Sequence, residues 1–318
     1  MHLVSQVVRN ALVEDGSIDV TSRATCASLL FFVCFSAISP YHSPIAALSS
    51  NSVPEGTQGS GHIFAKQHGI LAGCTPAHSA LLCCDESLII RWHKADGDSI
   101  APGDALASIS GNVRSILAAE RTALNFIMRM GGIASATHEL QRAASPATIL
   151  DTRKTACGLR ALDKWAVRLG GGTNHRLGLH DMILIKENHI TASGGVVNAV
   201  RNAQQYQERL DASRRVPAVV EVETMEQLRA VVDEVLDASN QQKPAPVQRV
   251  LLDNFTAEEL PDAVMECHRG GLQSEASGGV SLTSVRDVAA SGVTHISCGS
   301  ITHSVRALDV SLSLSLTE

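Results

Sequence analysis

The sequence predicts an α/β protein whose C-terminal part is a β/α barrel, preceded by a separate β-rich domain. Three observations carry that prediction. Hydrophobic residues fill 44% of the 318 positions and aromatic residues only 3%, so the core must come from Ala, Val, Leu and Ile, the material of buried parallel strands. Beyond residue 146, aliphatic runs alternate with helical patterns at intervals of about 20 to 40 residues, the size of β-α units. Polar or glycine-rich groups follow each run, as they do at the C-terminal mouth of a barrel.

Composition also excludes some partners. A net charge of −6, a pI near 6.1 and the lack of a basic tail argue against nucleic acid. Eight cysteines at 26, 34, 74, 83, 84, 157, 267 and 298 form no C-x-x-C pair, which predicts reduced thiols and a cytoplasmic protein. MHLVSQVVRNALVEDG has no basic segment followed by an apolar one, so no signal peptide is expected. The longest apolar run, Leu29 to Phe35, is too short for a bilayer.

In chain order, Leu3, Val7, Val8, Ala11 and Leu12 fall at helical spacing and Glu14-Asp15-Gly16 closes the pattern. The Ser, Pro and Gly content of Ser36 to Gly61 predicts a mobile insertion rather than packed structure. Residues 62 to 112 read as short strands and turns. Their RWHKADGDSIAPGDALASISG segment is similar to lipoyl and biotinyl carrier modules, but Lys94 precedes the Asp-Gly turn instead of standing at a hairpin tip, so a structural role is expected. Ile116 to Met130 predicts a helix with an aliphatic stripe at Leu117, Leu124, Ile127 and Met128, punctuated by Arg121 and Arg129.

The later aliphatic runs end at Leu150, Ile185, Val222, Leu252, about Ser274, and Ser297. Between them, Thr224-x-x-Gln227 and Thr256-x-x-Glu259 predict capped helix starts, and Gly292 a helix stop. Residues 239 to 248 read as a loop, and no repeat of fixed period occurs.

The charge pattern singles out Asp151 to Ile190. Seven Lys/Arg face four acids there, a net +3 in forty residues, while the other 278 residues sum to −9. Such an island in an acidic chain predicts a small anionic ligand. Arg153, Lys154, His175, Arg176 and Lys186 supply cations for carboxylate or phosphate, with arginine suited to the bidentate case. Glu223 and Asp253 are carboxylates for Mg²⁺ or sugar hydroxyls, although Glu221 or Glu223 also reads as a plain exposed strand residue. SEASGG and SCGS, containing Ser277, Gly278, Gly279 and Gly299, would turn backbone N–H groups to a phosphate. Gly170-Gly171-Gly172 matches no dinucleotide fingerprint, and His175 alone would read equally as a packing histidine. Placed together on six strand ends, the set points to a phosphosugar substrate.

ALVEDGSIDVTS, ILAAERTALNF, the whole Asp151 to Ile190 stretch, VEVET, VLLDNF, EASGGV and GVTHISCGSITHS resemble the quinolinate phosphoribosyltransferase family. The resemblance implies an α/β fold, an incomplete β/α barrel at 131–304 with an N-terminal α/β sandwich domain at 1–130 (insertion at about 27–60), and a tail at 305–318 packing back on the N-terminal domain. It implies that Arg153, Lys154, His175, Arg176 and Lys186 bind quinolinate carboxylates and the phosphates of phosphoribosyl pyrophosphate. It further implies that Glu223 and Asp253 meet ribose and Mg²⁺, that Ser277, Gly278, Gly279 and Gly299 hold the 5′-phosphate, and that Lys154, Lys186, Glu223 and Asp253 carry the catalysis. Arg121 matches a family arginine that enters a neighbouring subunit's site, which implies at least a homodimer. TACG stands where TTPG is common and KENH where KDNH is usual, with every charge kept.

The expected activity is phosphoribosyl transfer to quinolinate with decarboxylation, giving nicotinate mononucleotide for NAD biosynthesis. Transfer to nicotinate without decarboxylation is a rival on the same fold, disfavoured because Arg121, Arg153 and Arg176 together suit a diacid. A silent phosphosugar-binding protein would not need Glu223 and Asp253. A Schiff-base aldolase rests on Lys186 alone.

Overall fold

The computed structural model describes residues 7–8, 52–241, 245 and 247–316. Apart from Val7 and Val8, which are helical, the expected N-terminal helix lies outside them, as do the apolar run at 29–35, residues 27–51 of the insertion and most of 242–246. The chain divides into two compact units, one up to Gly132 together with Arg306 onward, the other Ile133–Val305.

The first unit is built on an antiparallel sheet in the order β12-β1-β5-β3, formed by β1 (Gln58–Ala65), β3 (Ile89–Trp92), β5 (Ala105–Asn112) and β12 (Val310–Leu316). Two short strands, β2 (Gly69–Ile70) and β4 (Ser99–Ile100), pair beside it. The insertion expected to reach Gly61 is corrected here, because β1 occupies the inside of the sheet from Gln58, paired with β12 and β5. Its glycines serve packing: a Cβ on Gly59 would lie 2.7 Å from the Ser315 carbonyl oxygen, and one on Gly61 3.3 Å from Ile116. The C-terminal tail thus becomes an edge strand of this sheet.

Two helices belong to this layer. α1 (Cys74–Cys84) was not expected, although Cys74, Ala77, Ala80 and Leu81 are buried at helical spacing. α2 spans Val113–Ala144, far beyond the helix expected to end at Met130. Gly131 and Gly132 do not break it; a Cβ on Gly132 would lie 2.2 Å from the Arg306 carbonyl oxygen. The glycines let the 306–308 segment approach, and Leu308 N–H donates to the Met128 carbonyl at 2.8 Å.

The second unit holds six parallel strands: β6 (Thr148–Leu150), β7 (Ile183–Ile185), β8 (Ala218–Val222), β9 (Arg249–Asp253), β10 (Gln273–Ser277) and β11 (His295–Ser297). Their order is β6-β11-β10-β9-β8-β7. β6 and β7, consecutive in the chain, lie at opposite edges and do not pair, so this is the incomplete barrel that the resemblance implied. Each expected run is a strand. The fifth needs a correction, since Ser274 lies at the start of β10 and the strand continues through Ser277.

Seven helices connect and follow these strands: α3 (Arg160–Leu169), α4 (Glu187–Ala192), α5 (Val196–Glu208), α6 (Met225–Asn240), α7 (Leu260–Arg269), α8 (Val285–Ala290) and α9 (Ser300–His303). Leu228, Val231, Val232 and Val235 form the buried stripe of α6, and each such side chain contributes about 1.5 to 3 kcal/mol of burial. Thr224 caps that helix by accepting from Gln227 N–H at 3.2 Å, worth about 1 kcal/mol. Thr256 and Glu259 form the reciprocal box at 3.0 and 3.3 Å.

Candidate active site

The charge island resolves into a buried support and a cationic surface. Lys164, on α3, is wholly buried against the Asp151 carboxylate at the end of β6. Asp151 also accepts from His175 N–H at 2.8 Å, and Lys164 donates to the His175 carbonyl at 3.0 Å. Burial pushes the Asp151 carboxyl up and the Lys164 ammonium down, against their mutual attraction. One of the seven island cations is therefore structural: it fixes the 174–176 segment beside the strand end.

That segment presents the cations. His175 is 8% exposed. Its Nδ1 accepts from Arg176 N–H at 2.8 Å, while its Nε2 lies 3.5 Å from the Glu275 carboxylate. Arg176 is half-buried and its Nη1 reaches the Met182 carbonyl at 3.5 Å. Partial burial, followed by the charge of Arg153, pushes the Arg176 guanidinium below its ordinary value, with Asp181 and Glu221 acting the other way. The Arg153 charge is thus close enough to act on Arg176.

Lys154 and Arg153 are exposed in the loop after β6. Among the described residues neither makes an ion pair with the chain's own acids. The Lys154 carbonyl accepts from Thr302 Oγ1 at 2.8 Å, and its side chain is so close to Gly299 that a Cβ there would lie 3.2 Å away. The loop after the first barrel strand and the one after the last therefore meet.

Lys186 follows β7 and pairs with Glu221. Parallel register explains the contact, since Ile185 is aligned with Val220 and the next residues stand side by side. Glu223 lies two residues further on, exposed, with its backbone N–H held by Gln227 at 2.8 Å. Of the two acids, Glu221 is the one joined to a site cation; strand alternation alone did not separate them. Asp253 accepts from Ser277 Oγ at 2.7 Å and from the Asn254 amide at 2.9 Å. Gly278 has φ +108°, and a Cβ there would lie 2.2 Å from Asn254 Oδ1, so glycine is needed. Asn254 itself has φ 58°, an uncommon conformation outside glycine that marks this loop as specially shaped.

The second unit thus brings the Arg153 charge to bear on Arg176, and brings Lys154 to Gly299, Lys186 to Glu221, Asp253 to Ser277 and Asn254 to Gly278, all on loops or residues at strand C-terminal ends. Gly279, φ +56°, continues the β10 loop with open space at its Cβ position. Arg121 is exposed on α2 in the first unit. Among the described residues, no three His, Cys, Asp or Glu side chains gather as a metal site. Sequence reading missed Glu275, placed Asn254 at a strand end without giving it a role, and weighed Glu221 only as a surface residue. The positional signal for Glu221 was its rung beside Lys186.

Comparison with known proteins identifies the family. Residues 19–131 match the model of the quinolinate phosphoribosyl transferase N-terminal domain, and 133–313 match the C-terminal domain. A mitochondrial quinolinate phosphoribosyltransferase [decarboxylating] from Nicotiana tabacum is 43% identical over 83% of this chain and 75% of its own length. A probable nicotinate-nucleotide pyrophosphorylase [carboxylating] from Bacillus subtilis is 38% identical over 80% of this chain and 83% of its own. The solved nicotinate-nucleotide pyrophosphorylase of Francisella tularensis superposes with a TM-score of 0.80 at 32% identity, covering 99% of this chain and 96% of that one. The chain belongs to the quinolinate phosphoribosyltransferase family.

Proposed function

We propose that this chain joins the ring nitrogen of quinolinate to C1 of phosphoribosyl pyrophosphate and expels CO₂ from ring position 2, giving nicotinate mononucleotide and pyrophosphate for NAD biosynthesis. The observation that carries the reading is the Arg153–Arg176 pair, two guanidiniums in one region, beside strand ends that carry Lys186–Glu221 and Asp253–Ser277. Two guanidiniums suit the two carboxylates of a pyridine diacid.

Departure of pyrophosphate builds positive charge on the ribose, which carboxylates at the strand ends stabilise. Asp253 is one of them. Glu221 takes the part expected of Glu223, because Glu221 is the acid joined to Lys186. Lys154 and Lys186 neutralise the leaving group, and the glycine turns at Ser277 to Gly279 and at Gly299 receive the 5′-phosphate on backbone N–H groups. His175 orients rather than transfers protons. When bound, Mg²⁺ would supply Lewis-acid neutralisation of the pyrophosphate. Glu221 and Asp253 fit it as an ion held by one or two carboxylates plus substrate phosphates rather than by an all-protein cage, in keeping with the described donor set. Once glycosylated, the pyridinium ring accepts the electrons that decarboxylation releases, so the chemistry rests on positioning and electrostatics.

A homodimer or larger assembly, with Arg121 reaching the site of a second copy, extends this reading, and the cysteine pattern favours the cytoplasm. No helix of the described residues is long and apolar enough to cross a membrane. The test is release of ¹⁴CO₂ from carboxyl-labelled quinolinate. Release that requires both phosphoribosyl pyrophosphate and Mg²⁺ is expected; no release, or release indifferent to phosphoribosyl pyrophosphate, would overturn the assignment.

A further inference from the structure

The interior of the barrel holds a polar cluster that the chemistry above does not use. Glu275, in the middle of β10, is fully buried. It lies 3.5 Å from His175 Nε2 and 3.3 Å from Arg249 Nε at the start of β9. Neither of its oxygens, nor His175 Nε2 nor Arg249 Nε, has a well-formed hydrogen bond among the described residues, so charge proximity holds the group together. His295, at the start of β11, completes the cluster; burial, and then the Arg249 charge, push its imidazole below the ordinary value, with Glu275 opposing and His175 adding to the effect. A buried carboxylate is costly without cationic partners. A role beyond packing would explain its presence.

The connections run toward the site. His175 Nδ1 accepts the Arg176 N–H, which leaves the ring proton on Nε2, facing Glu275. The His175 backbone is clamped separately by Asp151 and Lys164. The ring is thus held at Nδ1 by the residue that carries the Arg176 guanidinium, and its Nε2 faces the Glu275 carboxylate 3.5 Å away.

We propose that Glu275 is a positioning residue: from the barrel interior it fixes the ring proton and orientation of His175, and through the Arg176 N–H sets where Arg176 meets the anionic substrate. The proposal rests on the functional reading above and deepens it. A neutral amide at 275 would no longer favour a donor at His175 Nε2, freeing the ring to turn and loosening the peptide that carries Arg176. Displacing a binding group by even about 1 Å is enough to cost up to about 10²-fold, and the loss should fall on the diacid.

Two measurements test it. In the ligand-free wild-type protein, ¹⁵N NMR of the His175 imidazole is expected to show the proton on Nε2; a proton on Nδ1 overturns the proposal whether or not any variant folds. In Glu275→Gln, KM for quinolinate is expected to rise at least about tenfold while KM for phosphoribosyl pyrophosphate stays within about twofold, and Glu275→Asp should recover part of the loss. Unchanged quinolinate KM, or equal losses for both substrates, would reduce Glu275 to a packing residue. Because wild-type ¹⁴CO₂ release is read in the same assay, an inactive wild type counts against the reaction and an active wild type with an indifferent variant counts against the positioning role alone.

Discussion

Glu221 and Glu223 stand two residues apart at the end of β8, and register separates their chemistry. Residues i and i+2 of a strand share a face, so both acids looked alike in the sequence, and only the alignment of Ile185 with Val220 puts Glu221 beside Lys186. Glu221→Gln is expected to lower kcat/KM about 10²-fold, the scale of removing one preorganised electrostatic group. Glu223→Gln, at an exposed position, should stay within about twofold. The reverse ranking in steady-state kinetics would return the role to Glu223. Arg153, Lys154 and Lys186 could be placed on strand-end loops because charge directly after an aliphatic run announces one, whereas Arg176, far from any run, was singled out by the charge island. Lys164 was not separable from them, since its burial depends on a partner thirteen positions away. Glu275 was invisible for the same reason at greater range: its partner His175 is a hundred positions distant, and nothing local marks a strand carboxylate as interior.

At the scale of elements, the six barrel strands could be read from their aliphatic runs and the middle of α2 from its aliphatic stripe, but α1 and the full length of α2 could not. The error was physical in origin. Glycine ordinarily lowers helix stability by about 1 kcal/mol relative to alanine, so a helix is not expected to run on through Gly131-Gly132, and the glycines up to Gly61 read as loop. In the fold they mark close approach of backbones instead. Gly132→Ala therefore sets two effects against each other: the propensity gain, and a Cβ placed 2.2 Å from the Arg306 carbonyl oxygen. Backbone does not yield as a flexible side chain does, so overpacking of about 1 to 3 kcal/mol should win. After the propensity gain is subtracted, a net loss of up to about 2 kcal/mol is expected in urea unfolding. A variant as stable as the wild type, or more so, would show that the 306–308 segment moves aside at little cost.

For the molecule as a whole, the alternation of strands and helices announced the barrel, but the opening between β6 and β7 lies in the strand order, which no local pattern encodes. The polar cluster inside that barrel ties its stability to pH. Burial favours protonation of Glu275, yet His175 and Arg249 outweigh it and hold the carboxyl below its ordinary 4.5. With the folded value depressed, the unfolded chain takes up the proton first as the solution becomes acid. The stabilisation from Glu275 is then fully present above the unfolded value and disappears as pH falls through the folded one. Comparing wild type with Glu275→Gln isolates this group from every other titration. The variant should be less stable by about 3 kcal/mol near neutrality, the scale of breaking a buried charged contact. That gap should hold steady down to about pH 5 and narrow below about 4.5 as the wild-type carboxyl is neutralised. A gap that stays constant to pH 3, measured by denaturant unfolding across the series, would mean that Glu275 titrates alike in the folded and unfolded chain, and a gap that changes between neutrality and pH 5 would mean that its folded carboxyl is raised instead; either outcome removes the charge contact with His175 and Arg249.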